Sequence, residues 1–385
     1  MRRFRRTIFF SIAAAVIGLC LIELCSFIFF TVFQERFTFH EVDRFMLRDG
    51  DAERLRREYD RRFGWDHHYD THLTERPRPV EYGHPLIATF GDSYTHCTDV
   101  QDHETWQTYL AGFLESDVYN FGTGGFGTDQ AYLKYLEIEP GLETPIVVLG
   151  LISENINRIV NVYRPFYFPK TGIRLPKPRF TLGPGGLHLL ENPMRSVDGI
   201  PRLGEEGFIR KLGEHDYWYN RDRHPVRRFP YTRILFNRRM WLEAFHGKID
   251  KQINDVDPRP WENLWDDPRV SELMFAILGS FIDSARGSGR IPVIMILPMQ
   301  DEVFEKLYTG DNPESVSMIE AFCARRQCPC FNAINTLAAS VTVPEEIPTL
   351  FIVHLSPKGN RIVAREFKDF IMQQAYPALE RRGGA

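Results

Sequence analysis

Pro85-Leu86-Ile87-Ala88-Thr89-Phe90-Gly91-Asp92-Ser93-Tyr94-Thr95 is the stretch on which the reading of this chain turns. A short apolar run that ends in small polar residues predicts a buried strand closing in a turn. A helical stretch is expected to follow from Trp106. In an open α/β sheet the carboxyl ends of the strands line the ligand crevice, so a serine at this place faces substrate and not core. Ser93 is therefore the candidate nucleophile, against the plainer alternative of a serine that only caps the next helix.

Working outward, the same alternation recurs. A helix is expected over Trp106 to Leu114, a strand over Asp117 to Phe121, a helix over Gln130 to Leu136 and a strand over Pro145 to Leu151. From about residue 160 to 263 the texture changes to prolines, aromatics and arginines, with a hairpin pattern over Arg179 to Leu190; this reads as an insertion. Alternation resumes with a helix near Ser271 to Arg286, a strand Ile291 to Leu297, a helix near Ser315 to Arg325, a short strand near Pro329 to Asn332 and a terminal helix from Pro357. Strands separated by helices of this length predict βαβ units and a parallel sheet, a three-layer α/β/α architecture.

Ahead of this domain, Arg2, Arg3, Arg5 and Arg6 precede a run from Thr7 to Phe33 whose only Asp, Glu, Lys, Arg or His is Glu23. About 20 apolar residues span a bilayer, and no small-residue cleavage site follows, so an uncleaved anchor is expected. The arginine asymmetry predicts residues 1–6 in the cytoplasm, 7–33 in the membrane and the rest on the periplasmic or other extracytoplasmic side. Residues 34–80 form a juxtamembrane segment, with a surface helix or stalk over Glu41 to Arg62, and 81–385 the main domain. Asp66-His67-His68-Tyr69-Asp70-Thr71-His72 lacks the fixed spacings of metal sites, so no metal or cofactor is assigned.

The formal net charge of -4 on 385 residues gives no reason to expect nucleic acid as a partner. The arginines 221, 223, 227, 228, 233, 238 and 239 read either as a solvated surface or as a site for anionic glycan or lipid headgroups. Six cysteines in a chain this long are no disulfide framework; if the domain is outside, Cys323 is expected to pair with Cys328 or Cys330.

Three more stretches carry chemistry. Asn120-Phe121-Gly122-Thr123-Gly124-Gly125-Phe126-Gly127 contains Gly-x-Gly-x-x-Gly, but it follows the second strand and lacks the acid that a dinucleotide site needs. A turn whose backbone N–H groups approach substrate is the other reading. Ser153-Glu154-Asn155 ends the next strand, where an asparagine amide can serve a developing oxyanion. His354 stands just before a helix start marked by Ser356-Pro357, well placed as a base.

Together these residues resemble the SGNH (GDSL) hydrolase family, over roughly 80 to 160 and 270 to 375. The resemblance implies Ser93 as nucleophile and first oxyanion donor, Gly125 as second donor, Asn155 as third, and His354 as the base. A strict alignment puts Glu154 in the asparagine slot, but a carboxylate there would repel an oxyanion. The family's aspartate position holds Phe351. A dyad whose His354 is oriented by a main-chain carbonyl is therefore expected, with a triad through Glu345 or Glu346 as the alternative. The implied activity is serine-dependent cleavage of acyl esters, on an acylated substrate such as an envelope polysaccharide or lipid. Transfer of the acyl group by the same Ser-His site is one alternative, and a non-catalytic glycan-binding domain is another. An α/β-hydrolase elbow is excluded, since Thr95 stands where its second glycine belongs.

Overall fold

The computed structural model describes residues 2–33, 36–37, 46–47, 50–168, 171–221, 227, 229–237, 240–241, 244, 261–377 and 379. They fall into two compact units: Met1–Arg48, Pro165–Gly172 and Arg202–Arg259 make one, and Asp49–Arg164, Ile173–Pro201 and Pro260–Ala385 the other.

The second unit is built on five parallel strands, β1 (Pro85–Phe90), β2 (Asp117–Asn120), β3 (Ile146–Leu151), β4 (Ile291–Ile296) and β5 (Cys330–Asn332), in the order β2-β1-β3-β4-β5. β3 and β4 are buried along their whole length, which is why both read as unbroken apolar runs and not as alternating ones. In register, Ile87 lies between Val118 and Ile146, and Ile146 beside Ile291.

The helices follow from this order. The chain leaves β1 toward one edge, returns past it from β2 to β3, and continues the same way to β4. Right-handed crossovers then put the first connecting helix, Trp106–Leu114, on one face and the next, Thr128–Ile138, on the other. Packing agrees: Trp106–Leu114 lies against the terminal helix Pro357–Phe370, with Trp106 edge-on to Phe367, and Thr128–Ile138 lies against Pro268–Gly287, with Tyr135 edge-on to Phe281. The three-layer α/β/α expectation therefore holds for this unit.

The hairpin over Arg179 to Leu190 forms as two antiparallel strands. Of the surface helix expected over Glu41 to Arg62, Asp51–Glu58 is helical, while residues 41–45 and 48–49 lie outside the described residues. Arg223, Arg228, Arg238 and Arg239 also lie outside them. The expected disulfide does not form: Cys323, Cys328 and Cys330 are thiols. The Cys328 thiol donates to the Pro292 carbonyl at 3.5 Å.

In the first unit the helix Arg2–Val32 contains a stretch, Arg6–Val32, long and apolar enough to cross a membrane.

Candidate active site

In a sheet of this order the connections from β1 and β3 leave in opposite directions, so a crevice opens outside their carboxyl ends. Ser93 follows β1 there and Asn155 follows β3. Ser93 begins a single helical turn, Ser93–His96, capped by the Asp92 carboxylate, which accepts from the Tyr94 N–H at 2.8 Å. The serine is 9% exposed, just reachable from the crevice. Two glycines make room for this turn. A Cβ on Gly91 would lie 2.0 Å from Thr95 Oγ1, and one on Gly150 of β3 2.4 Å from the same atom. Thr95 thus sits where a side chain of the strands would otherwise be, and Ser93 is drawn in over the sheet edge.

The glycine turn after β2 packs directly on this element. A Cβ on Gly122 would lie 2.3 Å from the His96 backbone nitrogen, so the close approach itself requires glycine. Asn120 fixes the pair: its carbonyl accepts from the Gly122 N–H at 2.9 Å and its amide donates to the His96 carbonyl at 3.4 Å. This glycine turn is spent on backbone-to-backbone packing against the Ser93 turn. Gly125 adopts φ +77°, and its carbonyl accepts from Arg164 at 3.3 Å.

Residues from the lead-in segment support the turn from below. The Trp65 indole N–H donates to the Gly124 carbonyl at 2.9 Å, and Asp66 pairs with Lys134 at 2.8 Å while accepting from Thr123 at 2.9 Å. Burial alone would raise the Asp66 carboxyl, but Lys134 and the hydrogen bonds outweigh it and hold it below the usual carboxylate range. His67 stacks on His96 at 4.2 Å, and Tyr69 hydrogen-bonds His96 at 2.8 Å. Burial, aided by neighbouring cations, pushes His96 down to about 2, so it is a neutral packing group. The histidine-rich stretch is thus a buttress. Nothing in its spacing announced that, since its partners lie dozens of residues away.

In the turn after β3, Glu154 and Asn155 have different surroundings. Glu154 is ion-paired with Arg158 at 2.5 Å and accepts from Asn157 at 3.2 Å. Asn155 is fully buried, and neither its amide nitrogen nor its carbonyl oxygen has a hydrogen-bond partner. Leaving a buried amide unpaired costs about 1–3 kcal/mol. Arg158 also donates to the Phe126 carbonyl at 2.9 Å and reaches Asp92 at 3.4 Å. One guanidinium therefore touches all three turns that carry the candidate donors.

His354 lies in a tight turn closed by a bridge between Phe351 and Leu355 and by the Ile352 N–H donating to the His354 carbonyl at 2.8 Å. Ser356 caps the helix that follows. The imidazole Nδ1 is 2.9 Å from Asp99 Oδ2, and the same oxygen accepts from the backbone N–H groups of His354 at 2.8 Å and Val353 at 3.0 Å. Partial burial opposes the charge on Asp99, but these hydrogen bonds prevail and hold its carboxyl below the usual range. The Tyr94 ring stands edge-on to the imidazole with centroids 4.6 Å apart.

This corrects the expected dyad: a carboxylate, not a main-chain carbonyl, holds His354. Nor is it the alternative through Glu345 or Glu346, for Glu345 is exposed and Glu346 accepts from the Thr342 N–H at 2.9 Å. The carboxylate comes from the loop just after the Ser93 turn instead of from the position of Phe351. Phe351 is buried and forms the bridge that shapes the histidine turn.

No family model matches the sequence, and no curated protein matches it as a relative. Among solved structures the chain is similar to a protein described as lipolytic, of the G-D-S-L family, from Desulfitobacterium hafniense, at 10% identity and TM-score 0.36, covering 74% of this chain and 98% of that one. It is similar also to a member of the lipolytic G-D-S-L family from Veillonella parvula, at 11% identity and TM-score 0.38, covering 75% and 98%. A third is described as an acylhydrolase, from Bacteroides fragilis, at 11% identity and TM-score 0.34, covering 80% and 93%.

Proposed function

We propose that this chain is a serine-dependent hydrolase of acyl esters that works through Ser93, His354 and Asp99. The observation that carries the reading is the Asp99 clasp on His354 Nδ1, at 2.9 Å, on an imidazole packed edge-on against Tyr94, the residue that follows Ser93. A serine hydroxyl is a poor nucleophile until a base takes its proton, and an imidazole serves only if its other nitrogen is held. In this reading Asp99 holds Nδ1–H, which leaves Nε2 to take the Ser93 proton as Oγ attacks the acyl carbon. The Ser93 and Gly125 N–H groups and the Asn155 amide receive the oxyanion. Protonated His354 then gives its proton to the leaving alcohol. Water, activated by the same imidazole, releases the acid and regenerates Ser93.

A non-catalytic glycan-binding domain has no use for a carboxylate that holds an imidazole Nδ1 together with the backbone N–H groups of Val353 and His354. Transfer to an acceptor hydroxyl shares the first half-reaction and differs only in what attacks the acyl-enzyme. The N-terminal helix is proposed to be an uncleaved anchor with Arg2, Arg3, Arg5 and Arg6 on the cytoplasmic side and the α/β unit outside. Turnover of short p-nitrophenyl esters by the wild type, absent in Ser93→Ala and His354→Ala variants of unchanged circular dichroism, tests the enzymatic reading. Equal turnover in all three would reject it.

A further inference from the structure

We infer that residues 229–237 are a membrane-inserted element, lying against the N-terminal helix within the bilayer, with Glu23 capping their backbone and Phe229, Leu235 and Phe236 facing lipid acyl chains. The inference goes beyond the proposed chemistry and rests on the reading of the N-terminal helix as a membrane span.

Glu23 is the one Asp, Glu, Lys, Arg or His between Thr7 and Phe33. Its carboxylate accepts from the backbone N–H of Tyr231 and, at 3.0 Å, from that of Thr232. These are the opening residues of the 3-10 helix Tyr231–Phe236, whose first N–H groups have no partner within their own helix. Hydrocarbon offers neither group any other partner, so each supplies what the other lacks. Around this polar contact the packing is apolar: Phe30 of the N-terminal helix, Ile234 and Met240 form a buried cluster, with Trp241 against it.

Depth follows from helix geometry. The stretch Arg6–Val32 has 27 residues, about 40 Å at 1.5 Å each, and exceeds a hydrocarbon core of about 30 Å. Centred on that core, Glu23 lies about 9 Å inside the boundary on the side of Val32. Whatever donates to Glu23 must reach that depth. The outward side of the element suits it: Phe229 is 73% exposed and Phe236 85%, with Leu235 beside them, side chains that a surface facing water would not present together. Arg233, exposed on the same element, has a stem long enough to bring its guanidinium to the headgroups. The occupant of this face is the acyl-chain region of a bilayer, because the face is continuous with a helix that itself spans it.

The test uses the full chain reconstituted in phosphatidylcholine/phosphatidylglycerol vesicles, with photoreactive benzoyl-phenylalanine in place of Phe236, or of Leu19 as the control within the span. After irradiation, adducts are identified by mass spectrometry. Lipid adducts are expected at both positions. In the background of Glu23→Leu the adducts at Phe236 should be lost while those at Leu19 remain; Glu23→Gln, which keeps an acceptor oxygen, should preserve both. Lipid adducts at Leu19 with none at Phe236, or protein-protein adducts at Phe236 instead, would overturn the inference alone. Absence at both positions would overturn the membrane span and the inference with it. Adducts at Phe236 that persist unchanged in Glu23→Leu would overturn the role given to Glu23.

Discussion

Replacing Asp99 by asparagine removes one charge from the carboxylate-imidazole contact and leaves its shape. Asp99 Oδ2 accepts three hydrogen bonds, two of them from backbone N–H groups that an amide oxygen can also serve. The fold of the His354 turn should therefore persist, and the change in stability should stay within about 1 kcal/mol, the size of one weakened hydrogen bond. Catalysis is the sensitive quantity. In a buried triad the same change costs about 10⁴-fold in kcat, because an amide favours the wrong imidazole tautomer and stabilises no imidazolium. Asp99 is 21% exposed, so water screens part of its charge and a smaller effect follows. We expect a fall of about 10³-fold in kcat, about 4 kcal/mol of transition-state stabilisation, with KM little changed. Steady-state hydrolysis of a p-nitrophenyl ester reads it directly, and urea unfolding checks the fold. Glu345→Gln and Glu346→Gln should stay within about twofold of wild type, since neither carboxylate serves the imidazole. Activity in Asp99→Asn within about threefold of wild type, while His354→Ala is inactive, would refute this reasoning.

Asn155→Ala should lower kcat by about 10² to 10³-fold through loss of one oxyanion donor, whereas Glu154→Gln should change it far less; the reverse order of effects would place Glu154 at the oxyanion. Gly125→Ala should lose both stability and turnover, because a Cβ there would lie 2.2 Å from Ile173 Cδ1 on a backbone at φ +77°; thermal melting and ester turnover measure the two. Glu302 gives a pH signature. Its buried carboxyl, hydrogen-bonded by the Ser153 hydroxyl, is pushed up from 4.5 to about 7 chiefly by burial. The folded state therefore holds a proton that the unfolded chain releases, so this group's contribution is full below about pH 4.5 and falls by about 3 kcal/mol as pH rises to 7. Urea unfolding from pH 4 to 8 should show that slope in the wild type and not in Glu302→Gln, and parallel curves would show that Glu302 does not titrate in this range.

The sheet was legible because its central strands are buried on both faces and so appear as unbroken apolar runs between helical patterns: Pro85–Phe90 and Trp106–Leu114 fall at the residues expected. Ser93, Asn155 and His354 were legible for the same reason, each standing where an apolar run or a helix start fixes its place. Asp99 was not. It lies in an irregular loop, and its partner is 255 residues away, a contact that no local periodicity encodes. A search for acids close after the nucleophile would have found it beside Asp102, and only the tertiary structure separates them: Asp102 is paired with Arg76 at 2.7 Å. The buttress of Trp65, Asp66 and His67 was hidden likewise, its residue types pointing more readily to metal than to support.

In the proposed reaction Ser93 is a nucleophile activated by His354 under the hold of Asp99. Intact-mass and peptide mass spectrometry after treatment with a fluorophosphonate tests it most directly. A single adduct mapped to Ser93 is expected, absent in Ser93→Ala and formed far more slowly in His354→Ala and Asp99→Asn. No adduct on the folded wild type, or an adduct on another residue, would contradict it.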